Sequence, residues 1–346
     1  MLRRIQKFNF KNATNREYIA LNICQNKIRA EQFPAEKAIL VDEMKNGFKN
    51  TPTHTKTLCW VVWDKPSQII IAYALIQIPQ EDNLDTGEFS INILKKYRMK
   101  GLGKRLLSKI IKIAKENNRN LLLGNTTSQS PTSKIFMNKI GAEKGLTCHI
   151  NELSLDSINQ NLLNQWKMER KEERKDFQFE FWKGKYVKKN IEEIIKLHHL
   201  INQQPHGSLK IENINYSANY IYQNDNYIFS QGYERWIIFV KEIKSKKYVG
   251  YTKTLWHPDK PKIIEQEMTG VFPEFRNKGL AKWIKVEMLE KIITERPQAR
   301  FIRTEIAHAN RIMIKINREL GFKSFSESYT WQVKTEKVAS YLEGSK

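Results

Sequence analysis

The sequence predicts an α/β protein made of two domains of one fold, and three observations carry that prediction. A strand that runs into a short basic glycine loop and then an amphipathic helix occurs twice, as Lys100-Gly101-Leu102-Gly103-Lys104 and as Lys278-Gly279-Leu280-Ala281-Lys282. The spacing is constant: Arg98 to Arg276 and Gly101 to Gly279 are 178 residues apart, and the later glycines Gly141 and Gly321 are 180 apart. The chain has 346 residues, long for one compact domain and comfortable for two, each able to bury its own core. A duplication explains the three together.

From Met1 to about Lys49 the pattern is helical, with apolar residues at helical spacing over Glu17–Ile23 and Glu36–Met44. Pro34 reads as a helix start and Gly47 as following a helix end. Leu58–Trp63 and Ile69–Ile76 read as a hairpin joined at Asp64-Lys65-Pro66-Ser67, and Gly87–Leu94 as the strand that enters the first loop. Leu106, Leu107, Ile110, Ile111, Ile113 and Ala114 make the buried side of the helix behind that loop. A strand at Leu121–Leu123 and a helix from Ser130 to Ile140, ended by Gly141, complete the first half. Asp156 reads as the cap of a helix that runs into a mixed-sign tail, Lys167–Lys175, expected as a solvated linker. The second half repeats the plan with strands at Phe177–Trp182, Trp236–Val240, Tyr248–Thr252, Ile263–Val271 and Phe301–Thr304. Its helices fall at Ile191–Ile201, behind Gly279, and at Asn310–Leu320. The expected division is 1–155, a linker helix at 156–176, and 177–346.

Composition narrows the function classes. No uncharged apolar run approaches the about 18 residues of a membrane span, and no apolar stretch follows the basic N-terminus, so neither membrane nor secretion is expected. Cys24, Cys59 and Cys148 fall in no metal-ligand spacing and suit a reducing, cytoplasmic setting. His198, His199 and His206 likewise make no metal set, and no metal is expected. The net charge of +22 is spread along the whole chain, which argues for solvated lysines over a nucleic-acid face.

Each loop points backbone N–H groups outward at the positive end of a helix, a seat for a pyrophosphate. Arg276-x-x-Gly279-x-Ala281 and Arg98-x-x-Gly101-x-Gly103 match the (Arg/Gln)-x-x-Gly-x-(Gly/Ala) acyl-CoA loop. The chain resembles the GNAT superfamily of N-acetyltransferases, and its layout is similar to tandem members such as mycothiol synthase. Thr304, Asn310, Met313, Asn317 and Leu320-Gly321-Phe322 resemble the last block of such proteins. The resemblance implies two tandem α/β (α+β) GNAT domains, each a mixed, mostly antiparallel sheet flanked by helices, with neighbouring strands splayed to admit pantetheine. It implies acetyl-CoA held at Thr269, Gly270 and Val271 and at Arg276, Asn277, Lys278, Gly279, Leu280, Ala281 and Lys282, with Asn310 fixing the next helix. In the first half the corresponding residues are Ile91, Asn92 and Ile93, then Arg98, Met99, Lys100, Gly101, Leu102, Gly103 and Lys104.

Direct transfer needs a base for the incoming ammonium and an acid for the departing thiolate. Glu265 and Glu267 precede the second loop and, by period-2 alternation, share a face with Thr269 and Val271; either can serve as the base. Glu88 is their counterpart. The family's acid, a tyrosine four residues before the closing glycine, is replaced by Asn317 and Met137. The expectation is an acetyltransferase acting on a small-molecule primary amine through its second half, as a monomer or homodimer. Two alternatives stay open: a non-catalytic CoA sensor, and an enzyme that acetylates RNA or a protein.

Overall fold

The computed structural model describes residues 4–64, 68–169 and 171–344. Lys65–Ser67 of the expected turn, Arg170 of the charged run and the first three residues of the basic N-terminus lie outside them. In chain order the first half contains β1 (Ile5–Phe8), α1 (Asn15–Gln32), α2 (Val41–Lys49), β2 (Thr55–Asp64), β3 (Ile69–Pro79), β4 (Thr86–Ile93), α3 (Leu102–Glu116), β5 (Leu121–Thr127), α4 (Pro131–Lys139) and β6 (Glu143–Ser154). Then follow α5 (Gln160–Met168), α6 (Lys171–Arg174), β7 (Phe177–Lys183), α7 (Ile191–Asn202), α8 (Ala218–Ser230), β8 (Glu234–Glu242), β9 (Tyr248–Trp256) and β10 (Ile263–Val271). The last elements are α9 (Leu280–Glu295), β11 (Phe301–Ala307), α10 (Arg311–Leu320), β12 (Lys323–Lys334) and α11 (Thr335–Glu343).

Several expectations are corrected. Pro34 lies in a turn, not at a helix start, because α1 runs on to Gln32 from a capping box in which Thr14 and Glu17 satisfy each other's backbone N–H. α2 begins only at Val41, and Gly47 lies inside it. Asn159, not Asp156, caps α5, accepting from Leu162 N at 3.1 Å. In the tail expected as solvated, Lys171, Glu172, Glu173 and Lys175 are exposed and Arg174 is buried, while Leu163 and Trp166 of α5 before it join the core beneath α9.

The chain forms two compact units that do not follow sequence order. Unit 1 comprises 1–147, 206–213 and 328–346; unit 2 comprises 148–205 and 214–327. The expected division at 155–177 fails because the last strand of each repeat serves the other unit. In unit 1, β12 pairs antiparallel with β5 from Ser328↔Thr127 to Lys334↔Leu121. In unit 2, β6 pairs antiparallel with β11 from Cys148↔Ala307 to Ser154↔Phe301. Unit 1 therefore has the sheet order β1-β2-β3-β4-β5-β12, and unit 2 the order β6-β11-β10-β9-β8-β7. Hydrophobic pattern cannot separate the two arrangements, since Leu153 of β6 and Val333 of β12 occupy equivalent core positions.

Within each unit helices cover both sheet faces. In unit 1, α1 and α2 pack Tyr18, Leu21, Cys24 and Met44 onto one face, and α3, α4 and α11 fill the other with Leu106, Leu107, Ile110, Met137 and Val338. In unit 2, α7 packs Ile194, Leu197 and Leu200 onto one face, and α5, α9 and α10 bury Trp166, Ile284, Val286, Met288, Leu289, Ile316 and Leu320 against the other. No helix among the described residues is long and apolar enough to cross a membrane.

The exchange has a mechanical consequence. Trp331, from the far end of the chain, is buried in the core of unit 1 and donates from Nε1 to Thr126 Oγ1 at 2.8 Å. Trp331→Ala should cost about 3–5 kcal/mol. Hydrogen exchange should then show protection lost across β2–β5 and kept in β8–β11; loss centred on β8–β11 would refute the assignment of residues 328–346 to unit 1.

Candidate functional site

Both units contain the same opening in their sheets. In unit 1 the parallel pair β4–β5 is joined from Thr86↔Leu121 to Phe89↔Gly124 and no further. Ser90–Ile93 pair only with β3. In unit 2 the pair β10–β11 is joined from Ile263↔Phe301 to Gln266↔Thr304, and Met268–Val271 pair only with β9. Each leading strand thus ends with an edge whose N–H and C=O groups lack a strand partner on one side, the arrangement an extended ligand can complete.

At the end of each leading strand the chain makes one short helical turn and enters the glycine loop. Gly101 and Gly279 sit at the caps of α3 and α9 with φ of 78° and 74°, a left-handed conformation natural to glycine. Met99 and Asn277, two residues earlier, are also left-handed at 57° and 63°. The first helical bonds are Arg105 N to Gly101 O and Trp283 N to Gly279 O, so the N–H groups of 102–104 and 280–282 precede the ladder. A Cβ built on Gly101 meets nothing within 4 Å. These features fit a pyrophosphate seat in either unit.

The arginines act on the loop itself. Arg98 Nε donates to Ile93 O at 2.9 Å, and Arg276 Nε donates to Val271 O at 3.0 Å, so each ties the loop back to the strand that leads into it. Each has a second nitrogen held, Arg98 Nη2 by Glu31 at 2.6 Å and Arg276 Nη2 by Gln203 at 2.9 Å. Lys282 is ion-paired to Glu319 at 2.9 Å and stands over Trp166, whereas Lys278 lies over Phe177 and Phe275. Asn310 caps α10 by accepting from Met313 N at 3.2 Å and donates to Gln204 at 3.0 Å.

The carboxylates depart from strict alternation. Against β9, β10 shifts register between Gln266 and Met268, leaving Glu267 as the extra residue of a β-bulge. The expected shared face of Glu265, Glu267, Thr269 and Val271 is therefore corrected. Met268 joins the core under α7, while Thr269 bonds Gln266 and Val271 joins the core under α9. Glu267 Oε2 is 2.7 Å from Lys253 Nζ. Burial pulls the Lys253 ammonium down, but Glu267 and Tyr186 outweigh it and hold that group above the usual lysine range. Behind Lys253 the fully buried Arg235 takes Asp225 at 2.5 and 3.0 Å and stacks on Tyr186 at 3.9 Å. Burial, with Lys253 and Arg235 adding to it, lowers His198 to about 3, so this histidine is a neutral partner of Tyr186. In unit 1 β4 has no bulge, and Glu88 accepts from Asn125 Nδ2 at 2.7 Å. Glu88 reaches solvent, yet crowding protein atoms push its carboxyl above the usual range, with the Asn125 bond opposing.

The other face of β10 holds a group that pattern reasoning missed. Lys285 of α9 is buried and donates to Gln266 Oε1 at 2.9 Å. Gln266 Nε2 donates to Thr269 Oγ1 at 2.8 Å and Thr252 Oγ1 at 3.0 Å, and the two hydroxyls are 2.8 Å apart. Burial alone lowers Lys285 to about 7. The absent tyrosines are accounted for: Asn317 and Met137 are both buried, and Asn317 has no side-chain hydrogen bond among the described residues. No cluster of three or more metal-ligating side chains occurs there either.

Residues 25–141, about a third of the chain and all within unit 1, match the Acetyltransferase (GNAT) family. The whole chain superposes on the tandem GNAT protein from the clavulanic acid biosynthesis pathway with a TM-score of 0.76 and 17% identity, covering 96% of this chain and 98% of that one. The chain carries two GNAT folds in tandem. A GCN5-related N-acetyltransferase from Sphaerobacter thermophilus aligns over 96% of both chains, with a TM-score of 0.63 and 11% identity. A GCN5-related glucosamine N-acetyltransferase region of a fungal multi-domain β-N-acetylglucosaminidase reaches the same TM-score at 12% identity, over 96% of this chain and 38% of that chain. No curated protein matches in sequence. The splayed strands expected of the GNAT fold are present in both units, and the glycine loops stand at their open ends.

Lys285 should be visible in the stability of unit 2. An unfolded lysine titrates near 10.5 and folded Lys285 at about 7, so between those values the unfolded chain binds the extra proton. Stability must then rise with pH across that window, by a few kcal/mol. Denaturant titrations from pH 7 to 10.5 should show the rise, and Lys285→Met should flatten it while raising stability at pH 7. An equal slope in both proteins would exclude a buried, deprotonating Lys285.

Proposed function

We propose that this tandem GNAT protein is an N-acetyltransferase that moves an acetyl group from acetyl-CoA to a primary amine of a small molecule by direct attack. Unit 2 is the catalytic half. The observation that carries this reading is the bulge at Glu267, which falls where β10 loses β11 and which unit 1 lacks. Bulges re-aim side chains and backbone beside reaction centres. Here the bulge sets Glu267 and Met268 side by side on the α7 face.

The residues divide the labour as follows. N–H groups of 279–282 hold the pyrophosphate, with Gly279 allowing close approach, and the corresponding groups of 101–104 offer a second seat in unit 1. The open edge of Thr269–Val271 carries the pantetheine and presents N–H groups to the thioester carbonyl, favouring the oxyanion formed on attack. Glu267 accepts the proton of the incoming ammonium, directly or through water. Lys253 holds Oε2, and no other hydrogen bond restrains that carboxylate among the described residues. The spread of the positive charge along the chain supports a small acceptor over a polyanion.

A second reading, a CoA-binding sensor without turnover, is favoured by one observation: neither Asn317 nor Met137 can donate a proton as a phenol does. Thiol release from acetyl-CoA in the presence of a panel of primary amines, beside calorimetric binding of CoA, separates the two. Turnover is expected, with Glu267→Gln lowering kcat by about 10²–10⁴ and leaving CoA affinity in place. Binding without thiol release for any amine would establish the sensor; no CoA binding would remove both readings.

A further inference from the structure

The two units allow one half of the chain to serve as a control for the other. At the last paired rung of the splay, unit 1 has Phe89 and Gly124 where unit 2 has Gln266 and Thr304. Ile76, opposite Phe89, answers to Thr254, and Ala74, opposite Ile91, answers to Thr252 opposite Thr269. The repeat spacing sets Leu107 against Lys285 and Met137 against Asn317. Every unit 1 residue in this set is apolar, and every unit 2 residue is polar. Six of the unit 2 residues are buried, and Thr269 is half-buried on the open edge. Burying an amine and several hydroxyls costs stability that an apolar set avoids, as unit 1 shows within the same fold. The polar set answers to something other than folding.

Its proton inventory has a direction. Lys285 donates to Gln266 Oε1, which fixes the amide so that both Nε2 protons go to Thr252 and Thr269. The two hydroxyls share one further bond, so of their two protons one is used between them. Thr252 is fully buried and has only Thr269 within the network to donate to, which leaves the Thr269 hydroxyl proton as the free one. Thr269 stands three residues past the last rung, where β10 faces the gap.

We propose that the Lys285–Gln266–Thr252 network presets the Thr269 side chain as a hydrogen-bond donor into the gap of unit 2, where it stabilises the thiolate of coenzyme A in place of the absent tyrosine. Thr269 is then the residue that meets the sulfur; Lys285 and Gln266 are positioning residues. The hydroxyl donates a hydrogen bond and keeps its proton, and no bond to the protein forms. Removing Lys285 frees the Gln266 amide to turn over, and its carbonyl then draws the Thr269 proton inward. The inference rests on coenzyme A entering the unit 2 gap, as proposed above.

The test reads bound coenzyme A, with no acceptor present. The thiol of CoA in complex with the full-length protein is titrated by the ultraviolet absorption of its thiolate, while calorimetry gives affinity and stoichiometry. CoA held by unit 1 serves as an internal reference, because the variants touch only unit 2. The expected result is one bound thiol titrating about one unit below free CoA, a tenfold gain in thiolate. Thr269→Val and Lys285→Met should each return it to the free value with CoA still bound, and Thr269→Ser should retain the shift. Thr269→Val changes shape least, so the test stands even if Lys285→Met fails to fold. A bound thiol that titrates alike in wild type and Thr269→Val overturns the inference while leaving the acetyltransferase reading intact. Failure of the wild type to bind CoA in unit 2 overturns both.

Discussion

The constraint on which the rest of the structure depends is the point at which two parallel strands stop pairing. In each unit the leading strand loses its partner after four rungs, at Phe89↔Gly124 and at Gln266↔Thr304, while its other edge stays bonded. A backbone edge left open in a sheet interior must find water or a ligand, because an unpaired N–H or C=O cut off from both is costly. The glycine loop begins where that edge ends, and Arg98 or Arg276 staples the two by bonding the last strand carbonyl. Glycine loop and open strand edge are therefore tied into one feature by these two arginine–carbonyl bonds.

The same frame holds two different interiors. Unit 1 fills the base of its gap with Phe89, Met137 and Leu107; unit 2 fills it with an amide, hydroxyls and an amine. On the opposite face, unit 2 also adds charge that is buried at Asp225, Arg235 and Lys253 and exposed at Glu267, and a bulge that separates Glu267 from the alternation around it. Duplicated domains begin alike, so the base of the gap and the bulge are where the two copies have diverged. At the equivalent gap of unit 1, Glu88 is crowded and accepts from Asn125.

Much of this was legible in the residues. The repeated Arg-x-x-Gly spacing located both loops, because only glycine adopts φ near 75° at no cost where the loop turns into the helix. Gly141 and Gly321, at φ of 74° and 96°, closed the expected helices for the same local reason. What escaped the sequence is what neighbours in space decide. Period-2 counting placed Thr269 beside Glu267, and one inserted residue reversed it. Lys285 reads as a surface lysine on an amphipathic helix until Gln266 is seen beneath it. Lys253, likewise, looks like ordinary strand punctuation until Glu267 lies across from it.

The exchange of last strands escaped for a deeper reason. β6 and β12 descend from the same repeat position, so each carries the pattern that either seat requires, and register rules choose between them only through the chain that connects them. Its consequence reaches the site. The strand beside β5 comes from the far end of the chain, and Thr330 on it donates to Asn125, which in turn holds Glu88. The strand beside β11 comes from the first repeat, and its Glu152 holds Arg303 one rung before the splay. Neither gap is complete without sequence from the other repeat. A duplicated fold wired in this way cannot shed one copy, and that dependence is a physical reason for a half with diverged chemistry to be retained.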